Sequence, residues 1–335
     1  MKANTIFLSF FICVLSLSAN AQNVQSTADR TSGGFQAGNK GFSNTFYGHK
    51  AGFAIGTTGS GNTFLGHFSG QANTTGSNNL FAGAQSGTAN TTGEANIFLG
   101  PQAGISNTTG SRNIFLGEGV GYYGSSGSEN LLIGSQVQFN GAGLRNTIIG
   151  NYAGSDNSGS DNIFVGYTAG LNEPGSNKLY IDVTDTATPL IWGDFSTDQL
   201  KLNGKVGIGG VTSFPTTVGG VGVSSYMLFV KGGILTEEVR VSTAPWADYV
   251  FAKDYNLPTL TEVENHIKQK GHLINVPSAK QIAEEGIALG KMANIQQEKI
   301  EELTLYIIEQ NKINEKQAAE INELKEKMNL LLNKK

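Results

Sequence analysis

Four histidines are the residues of this chain best suited to metal binding or proton transfer. His49 and His67 each follow a glycine that closes the same short phrase, so stacked copies of that phrase would hold them about 4.8 Å apart. No further ligands accompany them, and surface positions at a variable corner are the favoured interpretation. His266 and His272 flank the expected end of a helix, where capping or packing is favoured over catalysis.

Three aspartates, Asp182, Asp185 and Asp194, are close enough in sequence to suggest a calcium site. Their surroundings match neither an EF-hand loop nor the glycine-aspartate repeat of calcium-binding rolls, so turns are favoured. No hydrolase elbow, zinc-protease helix or phosphate loop occurs in a convincing context. We therefore predict no catalytic, cofactor-binding or metal-binding residue and no enzyme activity.

Asn73, Asn90 and Asn107 each begin an Asn-Thr-Thr-Gly phrase that fits the acceptor pattern for N-linked glycans. The same residue types are typical of turns, because asparagine and threonine side chains bond readily to nearby backbone. We favour turns over modification sites.

The feature that organises all these residues is a five-residue phrase, Asn-x-Phe-x-Gly in most copies, that recurs along the chain. Each copy predicts a short strand, and the Gly-, Asn-, Thr- and Ser-rich segments between copies predict turns. Such a short, regular period indicates a narrow parallel β-solenoid, or β-roll. The copies begin 16 to 18 residues apart, at Asn44, Asn62, Asn79, Asn96, Asn113, Asn130, Asn146 and Asn162.

Each fixed position of the phrase has a physical role. The asparagine is expected to bond to its own turn and to stack on the next asparagine, forming an amide ladder. The large apolar third residue should fill the core, and the closing glycine permits positive φ or close backbone approach. In the second to fifth copies these residues are Asn62, Phe64, Gly66, Asn79, Phe81, Gly83, Asn96, Phe98, Gly100, Asn113, Phe115 and Gly117.

The second and fourth positions of the phrase are also largely apolar, as in Ile97 and Leu99 or Ile114 and Leu116. Alternation along a strand places them on the face opposite the phenylalanines. An apolar stripe of this length is not expected in water, so we predict that identical copies of the chain cover it.

After Gly175 the repeat stops and a β-rich connector is predicted, including a hairpin that turns at Asn203-Gly204. A helix is predicted to start near Pro258, with a capping box over residues 261–264, and to break at Gly271. Ser278 is predicted to cap a further helix that can run on to the C-terminus. Strands are expected at residues 178–182, 189–192, 227–232 and 239–241.

The terminal helix has the heptad pattern of a coiled coil. Its polar centre weakens the seam but can fix register and copy number, without deciding between dimer and trimer. Position a is occupied by Ile300, Ile307, Asn314, Ile321 and Met328, and position d by Leu303, Gln310, Gln317, Leu324 and Leu331.

The first residues have a charged start, an apolar run over residues 6–17 and an Ala-x-Ala site ending at Ala21. This pattern predicts a secretory signal peptide of the Sec pathway, since a membrane anchor needs about 20 apolar residues. The single cysteine, Cys13, lies inside it, so no disulfide is expected in the exported chain. No later segment is apolar enough to span a membrane, and no basic patch predicts nucleic-acid binding.

Residues 33–177 resemble the head domains of trimeric autotransporter adhesins, bacterial surface proteins whose coils share the Asn-x-Phe-x-Gly phrase. The resemblance implies a left-handed roll assembled from three chains. Residues 177–253 and 248–287 resemble the connector and neck of bacterial tail-fibre-like surface proteins, in which the neck leads into the terminal helix.

The sequence thus predicts a mainly β, homotrimeric fibrous protein without cofactors. Our first hypothesis is an adhesin-like protein, secreted or on the cell surface, whose partners are its own copies and a host, matrix or glycan surface. The alternative is a periplasmic or envelope spacer that is trimerised by its coiled coil. The predicted segments are a signal peptide (1–21), a lead-in (22–43), β-roll repeats (44–177), a β-rich connector (178–246), a helical neck (247–290) and the coiled coil (291–335).

Overall fold

The computed structural model describes residues 25–27, 30–124, 126–137, 142–242 and 246–333. The predicted signal peptide lies outside these residues. The chain divides into two units, Met1–Gly204 and Lys205–Lys335, and each is described by itself.

Within the described residues of the first unit, thirteen strands form one sheet in chain order. From the second strand to the eleventh, successive strands pair in parallel with one another, so one strand is contributed per coil. The strands are β1 (Gln25–Thr27), β2 (Arg30–Gly33), β3 (Asn44–Tyr47), β4 (Thr63–Leu65), β5 (Leu80–Ala82), β6 (Ile97–Leu99), β7 (Ile114–Leu116), β8 (Leu131–Ile133), β9 (Thr147–Ile149), β10 (Ile163–Val165), β11 (Lys178–Ile181), β12 (Ile191–Asp194) and β13 (Gln199–Leu202).

The register of this sheet is set by the repeat. Phe81 lies beside Phe64 on one side and Phe98 on the other. The prediction of a mainly β fold with a parallel solenoid is therefore confirmed, with about nine turns. The parallel stack begins with β2, one strand before the first copy of the phrase. Antiparallel pairs lie at both ends: β1 pairs with β2 at one end, and β12 pairs with both β11 and β13 at the other.

The core of the solenoid is a column of stacked rings. Phe64, Phe81 and Phe98 have no exposed surface, and adjacent ring centroids from Phe64 to Phe115 lie 4.7 to 4.8 Å apart. The spacing equals that of paired strands, so each ring packs against the same side chain one coil away.

Two glycines per coil make this packing possible. Gly83 ends its strand with φ near 145°, and a Cβ atom there would lie 2.3 Å from the carbonyl oxygen of Gly100. Gly87, with φ near 59°, sits against the core, where a Cβ atom would lie 2.5 Å from the ring of Phe81. The first position needs glycine for close backbone approach, and the second also makes room for the core ring.

Where it is described, the second unit contains four short strands and several helices. Strand β14 (Val206–Ile208) pairs in parallel with β17 (Leu228–Val230), while β15 (Thr217–Val218) and β16 (Val221–Gly222) form a small hairpin. A 3₁₀ helix (Ala247–Phe251) follows, and then α1 (Leu260–Lys270), α2 (Ala279–Glu285) and the long α3 (Leu289–Leu332).

The predicted hairpin at Asn203-Gly204 is wrong. Strand β13 pairs with β12 rather than with β14, whose partner is β17. The Asn203 side chain instead donates to the carbonyl oxygen of Pro189 at 2.6 Å. Residues 239–241 also lack the predicted strand.

Helix boundaries agree with the sequence in part. The capping box of α1 is formed by Thr259 and Glu262, two residues before the predicted one. The predicted break at Gly271 and the predicted cap at Ser278 are confirmed. Helix α2 does not run on to the C-terminus, because it ends at Gly286 with φ near 78°. Among the described residues, no helix meets the length and hydropathy needed to cross a bilayer.

Candidate self-association surface

The polar interior of the solenoid is an amide ladder. Asn79 donates from Nδ2 to Oδ1 of Asn62 at 3.2 Å and to the carbonyl oxygen of Gly93 at 2.8 Å. Its own Oδ1 accepts from the backbone N–H and the Nδ2 of Asn96 at 2.9 and 3.1 Å. These asparagines are almost fully buried, and each coil therefore supplies the hydrogen-bond partners of the next.

The ladder asparagines of the second to fifth copies thus lie in one column, beside the column of core phenylalanines. The ladder ends at Lys178, which stands where earlier coils have asparagine. Its backbone N–H still donates to Oδ1 of Asn162 at 2.8 Å, but its side chain has no amide to continue the ladder.

A second, shorter amide ladder contains the three possible glycan acceptors. Asn90 donates from Nδ2 to Oδ1 of Asn73 at 2.8 Å, and Asn107 donates in the same way to Asn90 at 2.9 Å. All three side chains are buried and also bond to the glycine that closes their turn. The favoured interpretation of these phrases as turns is confirmed.

The histidines form contacts without a metal-binding geometry. The rings of His49 and His67 stack with centroids 5.1 Å apart, as the repeat predicts, and Phe35 extends the stack at 5.6 Å. His266 packs edge-on against His272 at 5.4 Å. Among the described residues, no group of three or more His, Cys, Asp or Glu side chains could hold a metal ion.

The three aspartates are used in turns and pairs at the end of the solenoid. Asp182 accepts backbone N–H bonds from Leu190 and from its own turn, and the Leu190 bond is the main cause of its lowered pKa. Asp194 accepts from Nζ of Lys178 at 2.7 Å, and this bond contributes most to lowering its pKa to about 2. Asp185 accepts from the Asn172 amide.

The outward face of the solenoid strands carries the apolar stripe expected from the phrase. Its most open members, at 37 to 41% exposure, are Leu65, Ile114, Ile149 and Ile163. We call this surface the lateral stripe. Its remaining members are partly buried: Leu80, Ile97, Leu99, Leu116, Leu131, Ile133 and Val165.

Helix α3 has an acidic face that its own chain buries. Glu298, Glu301 and Glu302 are only 5 to 7% exposed. The Tyr249 hydroxyl donates to Glu298, and the Tyr255 hydroxyl donates to Glu302 at 2.5 Å. We call these two tyrosines, Glu298, Glu302 and the lysine between the glutamates the clamp.

That lysine, Lys299, closes the clamp by pairing with Glu298 at 2.7 Å and with Glu302 at 2.8 Å. Burial by itself would raise the pKa of Glu298, but hydrogen bonds from Lys299, Tyr249 and Asn275 outweigh it and lower the pKa. The hydrogen bond to Glu298 is the main cause that raises the pKa of Tyr249 to about 12. Burial, followed by the bond to Glu302, raises the pKa of Tyr255. Glu298 is thus held charged inside the unit.

The predicted heptad residues lie elsewhere on the same helix, in solvent. A residue two positions from Glu298 or Glu302 is turned by about 200° around the axis, so Ile300 projects away from the clamp. We call the apolar heptad residues the open seam. They are exposed by 50 to 71%, and they are Ile300, Leu303, Ile307, Ile321, Leu324, Met328 and Leu331.

Two residues in the polar centre of the heptad pattern bond to each other within the helix. Gln310 donates to Oδ1 of Asn314 at 2.9 Å, one helical turn away. This part of α3 is exposed, and Gln317 lies one turn further on.

The clamp was missed by the sequence analysis. Its tyrosines lie 47 and 49 residues from their glutamates, and glutamates on a charged helix ordinarily predict a solvated surface. The available signal was the concentration of Trp246, Tyr249 and Tyr255 just before the helices, because such aromatics need a surface to cover.

The chain matches no known protein-family model, no curated protein and no solved structure at a significant level.

Proposed function

We propose that the chain is an exported, non-enzymatic structural protein that assembles as a homotrimer through the open seam of α3. The observation that carries this proposal is the distribution of polarity on α3. Its own chain buries the glutamates, while the isoleucines and leucines of the heptad pattern stay exposed. Burying one large apolar side chain contributes roughly 1.5–3 kcal/mol, so a second copy of the helix is a favourable partner.

The lateral stripe supports the same assembly. A parallel sheet whose strands are apolar on both faces is ordinarily covered on both. Partial exposure of Ile114 and Ile163 leaves apolar surface for a neighbouring copy. The copy number of three and the left-handed roll rest on the resemblance to trimeric adhesin heads.

For the role of the trimer, we propose an adhesin-like protein, secreted or at the cell surface. The roll offers a repetitive, weakly charged surface, with exposed aromatic side chains such as Phe35, Phe42 and Phe53 in its first coils. Such rings suit binding to a glycan or protein surface. The alternative role is an envelope spacer. It is favoured because the buried asparagines of the solenoid bond between coils and are not available to a ligand.

The assembly is tested on the chain from Gln22 onward by sedimentation equilibrium. We expect a trimer at micromolar concentration, and we expect Leu303→Asp combined with Ile307→Asp to give monomers with unchanged β-sheet circular dichroism. Lys312→Asp, an exposed position of the same helix, is the matched control and should stay trimeric. A monomeric unmodified chain would overturn the proposal.

The role is tested separately. Cell fractionation with surface proteolysis locates the protein, and a glycan array or pull-down with the trimer tests for a ligand. Surface exposure with a bound ligand supports the adhesin-like role. A periplasmic trimer without a ligand supports the spacer instead.

A further inference from the structure

The second unit contains an open apolar cleft of about 490 Å³. The β15–β16 hairpin and β17 form one wall, while α2 and the first turn of α3 form the other. This volume lies within the range of about 300–1,000 Å³ found for binding clefts. The residues that matter for its chemistry are Val221, Phe229, Glu285, Ile287, Lys291 and Met292.

The same unit carries an apolar segment that its own chain does not cover. Residues 234–241, which we call the arm, follow β17 and have neither strand nor helix. Leu235 is wholly exposed, and Ile234, Val239 and Val241 are exposed by 69, 63 and 48%. The polar contacts within the arm are local, since Arg240 pairs with Glu238 at 3.4 Å.

The arm has the composition of a strand that lacks a neighbour. Its sequence around Val239 predicts a β-strand, because β-branched residues favour a pleated, half-buried surface. In an extended conformation Leu235, Val239 and Val241 project from one side, giving a largely apolar edge that also carries Glu237. An edge of this kind needs an apolar surface to cover it.

The arm and the cleft match in chemistry. Both are largely apolar. Glu237, on the apolar side of the extended arm, is complementary in charge to Lys291, which borders the cleft together with Glu285, while Glu238 and Arg240 pair with each other. We propose that the arm of one copy docks into the cleft of a second copy. This inference rests on the proposed self-association, because a single chain leaves both surfaces open.

The test uses disulfide formation between copies, which is clean because Cys13 is the only cysteine and precedes Gln22. Two copies of the chain from Gln22 onward, with tags of different size, are co-produced. One carries Leu235→Cys and the other carries Ile287→Cys, on an exposed rim of the cleft. Both positions are exposed, so neither substitution should disturb folding.

We expect a linked pair of the two tagged chains on non-reducing denaturing electrophoresis after mild oxidation. Thr75→Cys, on an exposed turn of the solenoid, replaces Leu235→Cys in the control and should give no linked pair. A further variant carries Leu235→Cys and Ile287→Cys in one chain, so that linkage within a chain can be compared with linkage between copies.

Each result decides a different point. A mixed pair supports docking between copies. A disulfide that forms only within one chain carrying both cysteines, with no mixed pair, overturns the inference, because the arm then covers its own cleft. A trimer that gives neither product overturns arm docking and leaves the proposed function standing. A monomer by sedimentation overturns both.

Discussion

The solenoid and helix α3 both bury polar side chains, but they satisfy them in opposite ways. In the solenoid, Asn79 is paired by identical residues one coil before and one coil after. In α3, Glu298 and Glu302 are paired by two tyrosines and a lysine, at positions that do not belong to any repeat. A repeat therefore solves its hydrogen bonding locally, while a single helix depends on one specific partner segment.

The solenoid and α3 also differ in how far their own chain covers their apolar side chains. The phenylalanine column of the solenoid is covered by its own coils, whereas the residues of the open seam of α3 stay 50 to 71% exposed. The solenoid can thus build its core alone, whereas α3 gains a core from another copy if the chain assembles as proposed. The predictions below test this contrast, beginning with the largest effect.

Phe98→Ala should lower the free energy of unfolding of the solenoid by about 3–5 kcal/mol, since the lost ring leaves a cavity between two stacked neighbours. Urea unfolding followed by circular dichroism measures the change. Leu99→Ala, on the outward face of the same strand, is the matched control with a smaller effect. Equal losses at both positions would contradict a one-sided core.

Asn79→Asp should cost about 3 kcal/mol, because it removes two donors from a buried ladder position and adds a charge there. Asn78→Asp makes the same chemical change at the adjacent residue. Asn78 is exposed and has positive φ, a conformation that aspartate tolerates, so this substitution should change stability little. The difference between the two urea midpoints measures the ladder alone. Indistinguishable midpoints would show that the ladder does not contribute to the stability of the fold.

The helical unit should lose stability in acid before the solenoid does. The lowered pKa of Glu298 means that its contribution is complete above the unfolded value of 4.5 and is lost as pH falls through the folded value. Carboxylates with lowered pKa in the solenoid unit, such as Asp194, begin to lose their contribution only below 3.8.

The two tryptophans separate these transitions, because Trp192 lies in the first unit and Trp246 in the second. Variants that keep one tryptophan are unfolded in urea near neutral pH and at about pH 3. We expect the larger fall in the Trp246 midpoint. Glu298→Gln should reduce the pH dependence of the midpoint that Trp246 reports. An unchanged pH dependence would exclude Glu298 as the source of the effect.

Thr259→Ala should destabilise α1 by about 1 kcal/mol through loss of the capping box. Thr261→Ala, at the position that the sequence alone suggested, should have a smaller effect. Thermal unfolding of the two variants ranks them. The reverse order would restore the sequence-based helix start.

How much could be predicted from sequence follows from the same contrast. The spacing of Asn62, Asn79 and Asn96 was sufficient to predict the parallel sheet, because every contact in it joins equivalent positions. The amide ladder followed from the same spacing, since stacked asparagines have few other partners.

The errors concern pairings that do not repeat. Asn203-Gly204 is a typical hairpin turn, yet the following strand pairs with β17, about twenty residues later in the chain. The clamp was invisible for the same reason, since Tyr249 meets Glu298 across 49 residues without any periodic signal. Local preference placed the capping box only approximately, because Thr259 and Thr261 are both suitable caps and both have glutamate three residues later.

The amide ladder also constrains how a gene for such a protein can change in length. Asn96 follows Asn79 by 17 residues, so deleting residues 79–95 would bring Asn96 directly beside Asn62 with every bond of the ladder intact. Deleting only about half a coil would place a glycine or a threonine beside Asn62 instead of an asparagine. Buried amides of the ladder would then be left unpaired. Duplication or loss of whole coils is therefore the tolerated form of variation, and such variants would differ in length by one coil at a time while keeping the same surface chemistry.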